Sequence, residues 1–200
     1  MNRPDNLRRA VRLSILSVAF GFASGAVAIT AGLRSHSLGV FAVGLGVLAD
    51  VIGSATLIWR FRAELAHPAL ADRRERQSML VVGAALTVTA IVVSAESALA
   101  LAQQTRPGSS AMTIAAACVS TLVLTPLAVG KRRLGTMIGS PALRGDGALS
   151  GIGAATSLLA IGSLLLYRML GWWWPDRVTA LIVAAVAGIE AGRTLRHRRS

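Results

Sequence analysis

The stretch LSILSVAFGFASGAVAITAGL, residues 13–33, decides the fold, because its 21 positions carry no ionisable side chain. A helix that crosses a hydrocarbon layer of about 30 Å needs about 20 such residues. A secretory signal peptide would have a shorter apolar core, of about 7–15 residues, and a small-residue cleavage site. Because this stretch is longer and similar stretches follow it, the sequence predicts a membrane span that is kept in the protein.

Five further apolar stretches follow the first, and none shows the apolar–polar alternation that is typical of membrane β-strands. In lipid, only helices and closed barrels satisfy the hydrogen bonds of the backbone. The sequence therefore predicts an all-α polytopic membrane protein, with six transmembrane helices in a single domain and no soluble domain. The predicted spans are residues 13–33, 37–59, 78–102, 111–129, 148–167 and 175–191.

The composition agrees with this fold class. The 200 residues are 54% hydrophobic and 15% charged, whereas soluble domains have about 45–50% apolar and about 25% charged residues. A soluble enzyme and a nucleic-acid-binding domain are poor fits, and one cysteine excludes an intrachain disulfide. The polar segments hold no paired catalytic carboxylates, no nucleophile with a base and no phosphate loop, so the protein is not expected to be an enzyme.

The net charge of +12 comes from basic residues that are unevenly distributed. Of the 21 Lys and Arg residues, 17 lie on alternate polar segments, a strong positive-inside signal that places both termini in the cytoplasm. We therefore predict a multi-pass protein of the inner (plasma) membrane, whose arginines contact anionic lipid and not nucleic acid. Trp172, Trp173 and Trp174 fall where an outer interfacial belt is expected.

Acidic residues at membrane depth are candidates for function, because a buried carboxylate is costly unless it is paired, hydrated or protonated. Asp50 lies nine residues before Trp59, which places it about 14 Å along the helix from the inner end of the second span. A hard divalent cation or a proton is the natural occupant of such a position. Ser54 lies one turn later on the same face and adds a second oxygen.

Three other acidic residues lie in or near the spans. Glu96, in the third span, either joins a cation site or pairs with a serine or a neighbouring helix. Asp146, between Gly145 and Gly147, either joins the site or caps the fifth helix. Glu190 is expected to pair with an arginine at the cytoplasmic interface. The candidate metal ligands are therefore Asp50, Ser54, Asp146 and Glu96.

Several short motifs, taken in their order, resemble those of the cation diffusion facilitator, or cation efflux, family. The similarity is strongest to a short bacterial branch that lacks the cytoplasmic C-terminal domain. The motifs are Ala49-Asp50, Leu57 to Glu64, Ala71 to Arg76, Lys131 to Gly135, Gly139-Ser140, Ala142-Leu143, Gly145-Asp146-Gly147, Gly171 to Asp176 and Ile189 to Gly192.

The resemblance implies a homodimer in which each protomer exchanges a divalent cation, zinc or manganese, for protons. No resident cofactor is implied, since the metal is the transported ion. Family members bind it between the second and fifth helices, with two ligands four residues apart on each. Asp50 matches the later position of the second helix, but the earlier one falls on Gly46. The fifth-helix positions fall on Leu149 and Gly153.

Because the residues at three of the four expected ligand positions offer no metal-binding side chain, three hypotheses stay open. The first is transport of a divalent cation, coupled to protons through Asp50. The second is a non-transporting regulatory or heterodimer partner of a competent family member. The third is a small drug exporter, which ranks last because aromatic residues, which would hold an organic cation, make up only 4% of the chain.

Overall fold

The computed structural model describes residues 3–34, 38–103, 111–171 and 175–196, and every regular element within these ranges is helical. The all-α prediction is confirmed, whereas the predicted belt at Trp172–Trp174 lies outside the described residues. A single 3-10 turn, Pro68–Leu70, joins the second and third helices. The six α-helices are α1 Arg3–Arg34, α2 Leu38–Ala66, α3 Ala71–Ala102, α4 Ala111–Met137, α5 Pro141–Leu170 and α6 Pro175–Arg196.

The bundle exposes apolar side chains on its surface and buries charged ones, as expected for a protein surrounded by lipid. Within the described residues, three segments are long and apolar enough to cross a membrane: Arg3–Val27, Ala71–Leu99 and Ile114–Met137. Large apolar side chains such as Leu122 and Met169 are exposed on the surface, at 75% and 80%. Several charged side chains, in contrast, are buried inside the bundle. Water-soluble proteins bury few charges and rarely expose such large apolar surfaces.

All six helices continue beyond their apolar stretches at the arginine-rich end. The second helix runs on to Ala66, the fourth runs on to Met137, and the fifth begins at Pro141, seven residues before its apolar stretch. Arginine, glutamate and lysine are good helix formers, and buried ion pairs hold several of them against neighbouring helices. The bundle is therefore longer than the predicted spans, and part of it consists of paired charges.

The turn between α4 and α5 fixes where α5 begins. Gly139 adopts a positive φ of 68° after the end of α4, a conformation that costs glycine little. The Ser140 hydroxyl then accepts a hydrogen bond from the Leu143 amide at 3.1 Å, and Pro141 occupies the first helical position. Ser140 is thus the cap of α5, and Asp146 lies in the second turn. The alternative that Asp146 caps this helix is wrong.

Small residues allow three helix pairs to approach closely. Gly21 and Gly25 of α1, whose spacing predicts close packing in lipid, face valines 51 and 47 of α2, and their packing role is confirmed. Gly83 of α3 lies against Leu195 of α6. Gly147 of α5 lies so close to α4 that a methyl group there would be 3.0 Å from the Arg132 backbone nitrogen.

Candidate functional site

One face of α2 carries the polar residues around which both charged clusters of the bundle form. Asp50, Ser54, Leu57, Phe61 and Glu64 follow one another at spacings of three or four residues, which places them on one side of a helix. Ser54, Leu57 and Phe61 are fully buried, and Glu64 is nearly so. This face therefore points into the bundle from Ser54 to Glu64.

The first cluster, which we call the Lys131 cluster, joins α2, α4 and α5. The Lys131 Nζ of α4 lies 2.6 Å from the Asp146 Oδ2 of α5. The ammonium also donates hydrogen bonds to the hydroxyl oxygens of Ser54, at 3.1 Å, and Ser150, at 3.0 Å. The Ser54 hydroxyl in turn donates to the Asp146 Oδ1 at 2.9 Å.

These four side chains are closed off from the surface, since Lys131, Asp146 and Ser54 are 0% exposed and Ser150 is 1% exposed. Removing two charges from water is expensive, and the cost is recovered only when the charges are paired and their remaining hydrogen bonds are satisfied. Here the three N–H donors of the ammonium face three acceptor oxygens. The ammonium is thus fully hydrogen-bonded inside an apolar bundle.

Asp50 lies one helical turn before Ser54 and completes the Lys131 cluster as its fifth member. It interacts electrostatically with both Lys131 and Asp146. The residue as a whole is half-buried, but its Oδ1 is buried and accepts no hydrogen bond within the described part of the chain. A carboxylate oxygen without a donor is a position that a cation or a proton would stabilise.

The structure brings together three of the four candidate ligands: Asp50, Ser54 and Asp146. Glu96 lies elsewhere. It follows Val82 by 14 residues on α3, and Val82 is the residue of that helix that packs beside Gly53. Glu96 is therefore about 21 Å farther along α3, at about 1.5 Å per residue.

The fifth-helix positions implied by the family resemblance do not supply donors. Leu149 packs in the apolar core beside Gly53, and Gly153 lies against Leu124 of α4. Asp146 is the α5 side chain that faces Ser54. In the ranges that the structure describes, no three His, Cys, Asp or Glu residues are grouped so that they could hold a metal ion. The donors of the Lys131 cluster are instead two carboxylates and two hydroxyls, the hard oxygen ligands that suit divalent cations such as magnesium, calcium and manganese.

Lys131 joins the candidate site although the pattern of basic residues does not single it out. By position it belongs with the basic residues that mark the cytoplasmic side, whereas in the structure its side chain is buried between helices. One signal in the sequence distinguishes it: the chain has twenty arginines and a single lysine. Arginine and lysine serve equally in the positive-inside pattern, so a lone lysine among arginines points to another role.

The second cluster, which we call the Arg60 cluster, lies nearer the arginine-rich end. Arg60 of α2 is 2.6 Å from the Glu75 carboxylate of α3 and 3.2 Å from the Glu64 carboxylate. Arg3 of α1 also pairs with Glu64, at 2.8 Å. The Arg60 guanidinium donates to the Ser140 hydroxyl at 3.0 Å. The cluster thus ties α1, α2, α3 and the start of α5 together.

An apolar layer separates the two clusters. Ser54 and Arg60 are six residues apart on α2, or about 9 Å. Leu57 lies within this interval and packs in one apolar core cluster with Leu143 of α5 and with Phe61, which lies beside Arg60; all three are 0% exposed. The Lys131 cluster is therefore closed toward the arginine-rich end by an apolar layer and a network of ion pairs.

The predicted pairing of Glu190 with arginine is confirmed. Its carboxylate pairs with Arg132 at 3.5 Å and with Arg193 at 3.4 Å, and both arginines are more than half exposed. Arg132 and Glu190 also line a cavity of about 400 Å³ between α4, α5 and α6, whose other lining residues are apolar. The two Glu190 ion pairs lie at the surface, where such pairs contribute little to stability, and they form no part of either buried cluster.

Comparison with known proteins agrees with this geometry. The chain is 23% identical to Transmembrane protein 163 of Xenopus laevis over 181 residues, which are 90% of the chain and 63% of that relative. The chain thus spans less than two thirds of the relative's length. The cation efflux transmembrane domain matches residues 14–200, nearly the whole chain. With a helical bundle that buries carboxylates, and a family match of this extent, the chain belongs to the cation efflux family.

Proposed function

We propose that the protein exchanges a divalent cation, zinc or manganese, for protons across the plasma membrane, and that the cation binds at Asp50. Membership of the cation efflux family supports cation transport in general. The donor set of the Lys131 cluster supports a hard or borderline divalent cation. The proposed transport involves no covalent chemistry, so we do not expect the protein to be an enzyme.

The observation that carries the proposal is the Asp50 carboxylate. It lies in the second apolar stretch, has a buried oxygen that accepts no hydrogen bond from any described residue, and interacts with a second carboxylate and an ammonium. In a medium of low dielectric constant, such a group is stable only when it holds a proton or a cation. Since either occupant excludes the other, binding the metal releases the proton. One carboxylate thereby couples the two flows.

Uptake of metal into proteoliposomes tests the proposal. The purified chain is reconstituted around a dye that responds to zinc or manganese, and the initial rate is measured for wild type and for Asp50→Asn. Asparagine keeps the size of the side chain but removes its charge. We expect a rate at least about tenfold lower, equivalent to about 1.4 kcal/mol.

Glu96→Gln is the matched control, because it removes the carboxylate of the third span, far from the Lys131 cluster. We expect it to transport within about twofold of wild type, a difference of about 0.4 kcal/mol. If Asp50→Asn keeps the wild-type rate while Glu96→Gln loses it, the cation path follows α3 and the proposal is wrong.

The proposal includes six membrane-spanning helices with both termini in the cytoplasm, and a homodimer. An even number of spans and the bias of basic residues support the orientation. A fluorescent protein that matures only in the cytoplasm should therefore fluoresce when fused to either end. A dark fusion at one end, with normal expression, would contradict the orientation. Cross-linking in native membranes should give a dimer.

A second function is favoured by the Lys131–Asp146 pair itself. An ammonium already occupies the space between the oxygen donors, so a non-transporting partner of a competent family member is the alternative. It would gain support if neither wild type nor Asp50→Asn takes up metal in proteoliposomes and the protein copurifies with a second cation efflux protein. Transport by the protein alone would exclude it.

A further inference from the structure

The Lys131 ammonium is bound as a cation ligand would be bound. Its three hydrogen-bond donors are directed at three oxygens from two helices: Asp146 and Ser150 of α5, and Ser54 of α2. Those oxygens are a carboxylate and two hydroxyls, which are also ligands for a divalent cation. The ammonium therefore takes the contacts that a transported ion would make at these positions.

The Lys131 ammonium determines the net charge of the Lys131 cluster. Asp50 and Asp146 carry two negative charges when ionised, and Lys131 carries one positive charge. With the ammonium in place and a proton on Asp50, the cluster has no net charge. With the ammonium withdrawn and the proton released, it has two negative charges, which a divalent cation neutralises. Two uncompensated charges at this depth would be very costly.

We propose that Lys131 is a tethered cation that occupies the transport site when no metal is bound, and that the metal binds by displacing its ammonium from Asp146. This inference rests on the function proposed above and deepens it. Lys131 then determines the affinity of the site for divalent cations, because every metal ion must compete with an ammonium that is always present. It also keeps the cluster from holding two uncompensated negative charges after the metal leaves.

The residue type and its surroundings agree with a movable group. A lysine ammonium is a compact charge on a flexible four-carbon stem, whereas a guanidinium is a rigid fork that prefers fixed bidentate partners. The Arg60 cluster, in which one guanidinium contacts two carboxylates and a hydroxyl at once, uses arginine. The chain has a lysine only at position 131. A purely structural link between α4 and α5 would not require this choice.

Equilibrium binding of manganese to the full chain in detergent tests the inference. Free Mn²⁺ is quantified by electron paramagnetic resonance during titration of wild type, Lys131→Gln and Arg132→Gln. Lys131→Gln should lower the Kd at least about tenfold, equivalent to about 1.4 kcal/mol. The gain should disappear in the double variant Lys131→Gln/Asp146→Asn. Arg132→Gln removes the adjacent positive charge, which is exposed and pairs with Glu190, and should leave the Kd within about twofold, or about 0.4 kcal/mol.

The inference is overturned if folded Lys131→Gln binds manganese with the wild-type Kd, or if the gain survives the loss of the Asp146 charge. Because binding is measured without transport, this outcome differs from a failure of the proposed function, in which wild type and Asp50→Asn show equal uptake. A gain in binding that depends on Asp146 would support the inference even if the wild type carried nothing.

A second measurement applies if Lys131→Gln does not fold. With one lysine in the sequence, wild type labelled with ¹³C-lysine gives a single side-chain Cε resonance. Zinc, which is diamagnetic, should shift this resonance in a saturable manner, and Asp50→Asn should require at least about tenfold more zinc for the same shift, or about 1.4 kcal/mol. A resonance that does not move at saturating zinc would contradict displacement of the ammonium.

Discussion

At the scale of single residues, Glu75 shows how the arginine-rich end is held together. Its carboxylate pairs with the buried Arg60 and accepts hydrogen bonds from the Ser140 hydroxyl, at 3.1 Å, and from the Ala142 amide, at 2.9 Å. It therefore satisfies a guanidinium of α2 and a free amide in the first turn of α5. A negative charge at a helix N-terminus is favourable in its own right.

Replacing Glu75 by alanine should destabilise the protein by about 3–5 kcal/mol, because it leaves the buried Arg60 with fewer partners. Thermal unfolding in detergent measures the change. Glu190→Ala is the matched control, since its two arginines are mostly exposed, and it should cost about 0–1 kcal/mol. Equal losses in the two variants would mean that the Arg60 cluster contributes no more than a surface pair.

At the scale of the helices, the close contact between α4 and α5 sets the position of Lys131. A methyl group on Gly147 would lie 3.0 Å from the Arg132 backbone nitrogen and 3.1 Å from the Lys131 Cβ. The backbone of α4 cannot move aside as a flexible side chain would. A methyl group on Gly151, one turn later on the same face, would meet only the Ala128 Cβ, at an ordinary 3.7 Å.

Gly147→Ala should therefore push α4 and α5 apart, lengthen the Lys131–Asp146 contact and cost about 1–3 kcal/mol through overpacking. Gly151→Ala should be neutral, or stabilising by up to about 1 kcal/mol, because alanine is the better helix former. Both changes can be read from unfolding midpoints. A Gly147→Ala protein as stable as Gly151→Ala would show that the two helices are not constrained at this point.

At the scale of the whole molecule, the bundle places two charged layers at different depths. The Lys131 cluster lies deeper, and the Arg60 cluster closes the arginine-rich end beyond an apolar layer that includes Leu57 and Leu143. In the proposed orientation this end faces the cytoplasm. A carrier must open the site to each side in turn, so the structure corresponds to a state that is closed on the arginine-rich side. Opening that side requires the Arg60 ion pairs to separate.

The six helices and their order could be predicted from the sequence, because long charge-free runs have few other uses than crossing lipid. Their ends could not, since polar residues beyond the apolar stretches remain helical by pairing with distant residues, as Arg60 does with Glu75. Asp50 and Asp146 can be proposed as site residues from the sequence, because an acidic residue near a span is conspicuous. Lys131 cannot, because a basic residue at the end of an apolar stretch follows the same pattern as the interfacial arginines.

The most direct test of the account is the location of a bound cation. Crystals of the wild-type chain grown with saturating zinc, measured at the zinc absorption edge, would show the ion by its anomalous scattering. We expect a peak between α2 and α5 within about 2.0–2.2 Å of an Asp50 carboxylate oxygen, with the Lys131 ammonium no longer on Asp146. Zinc found only at surface residues, with the Lys131–Asp146 contact unchanged and no peak beside Asp50, would contradict it.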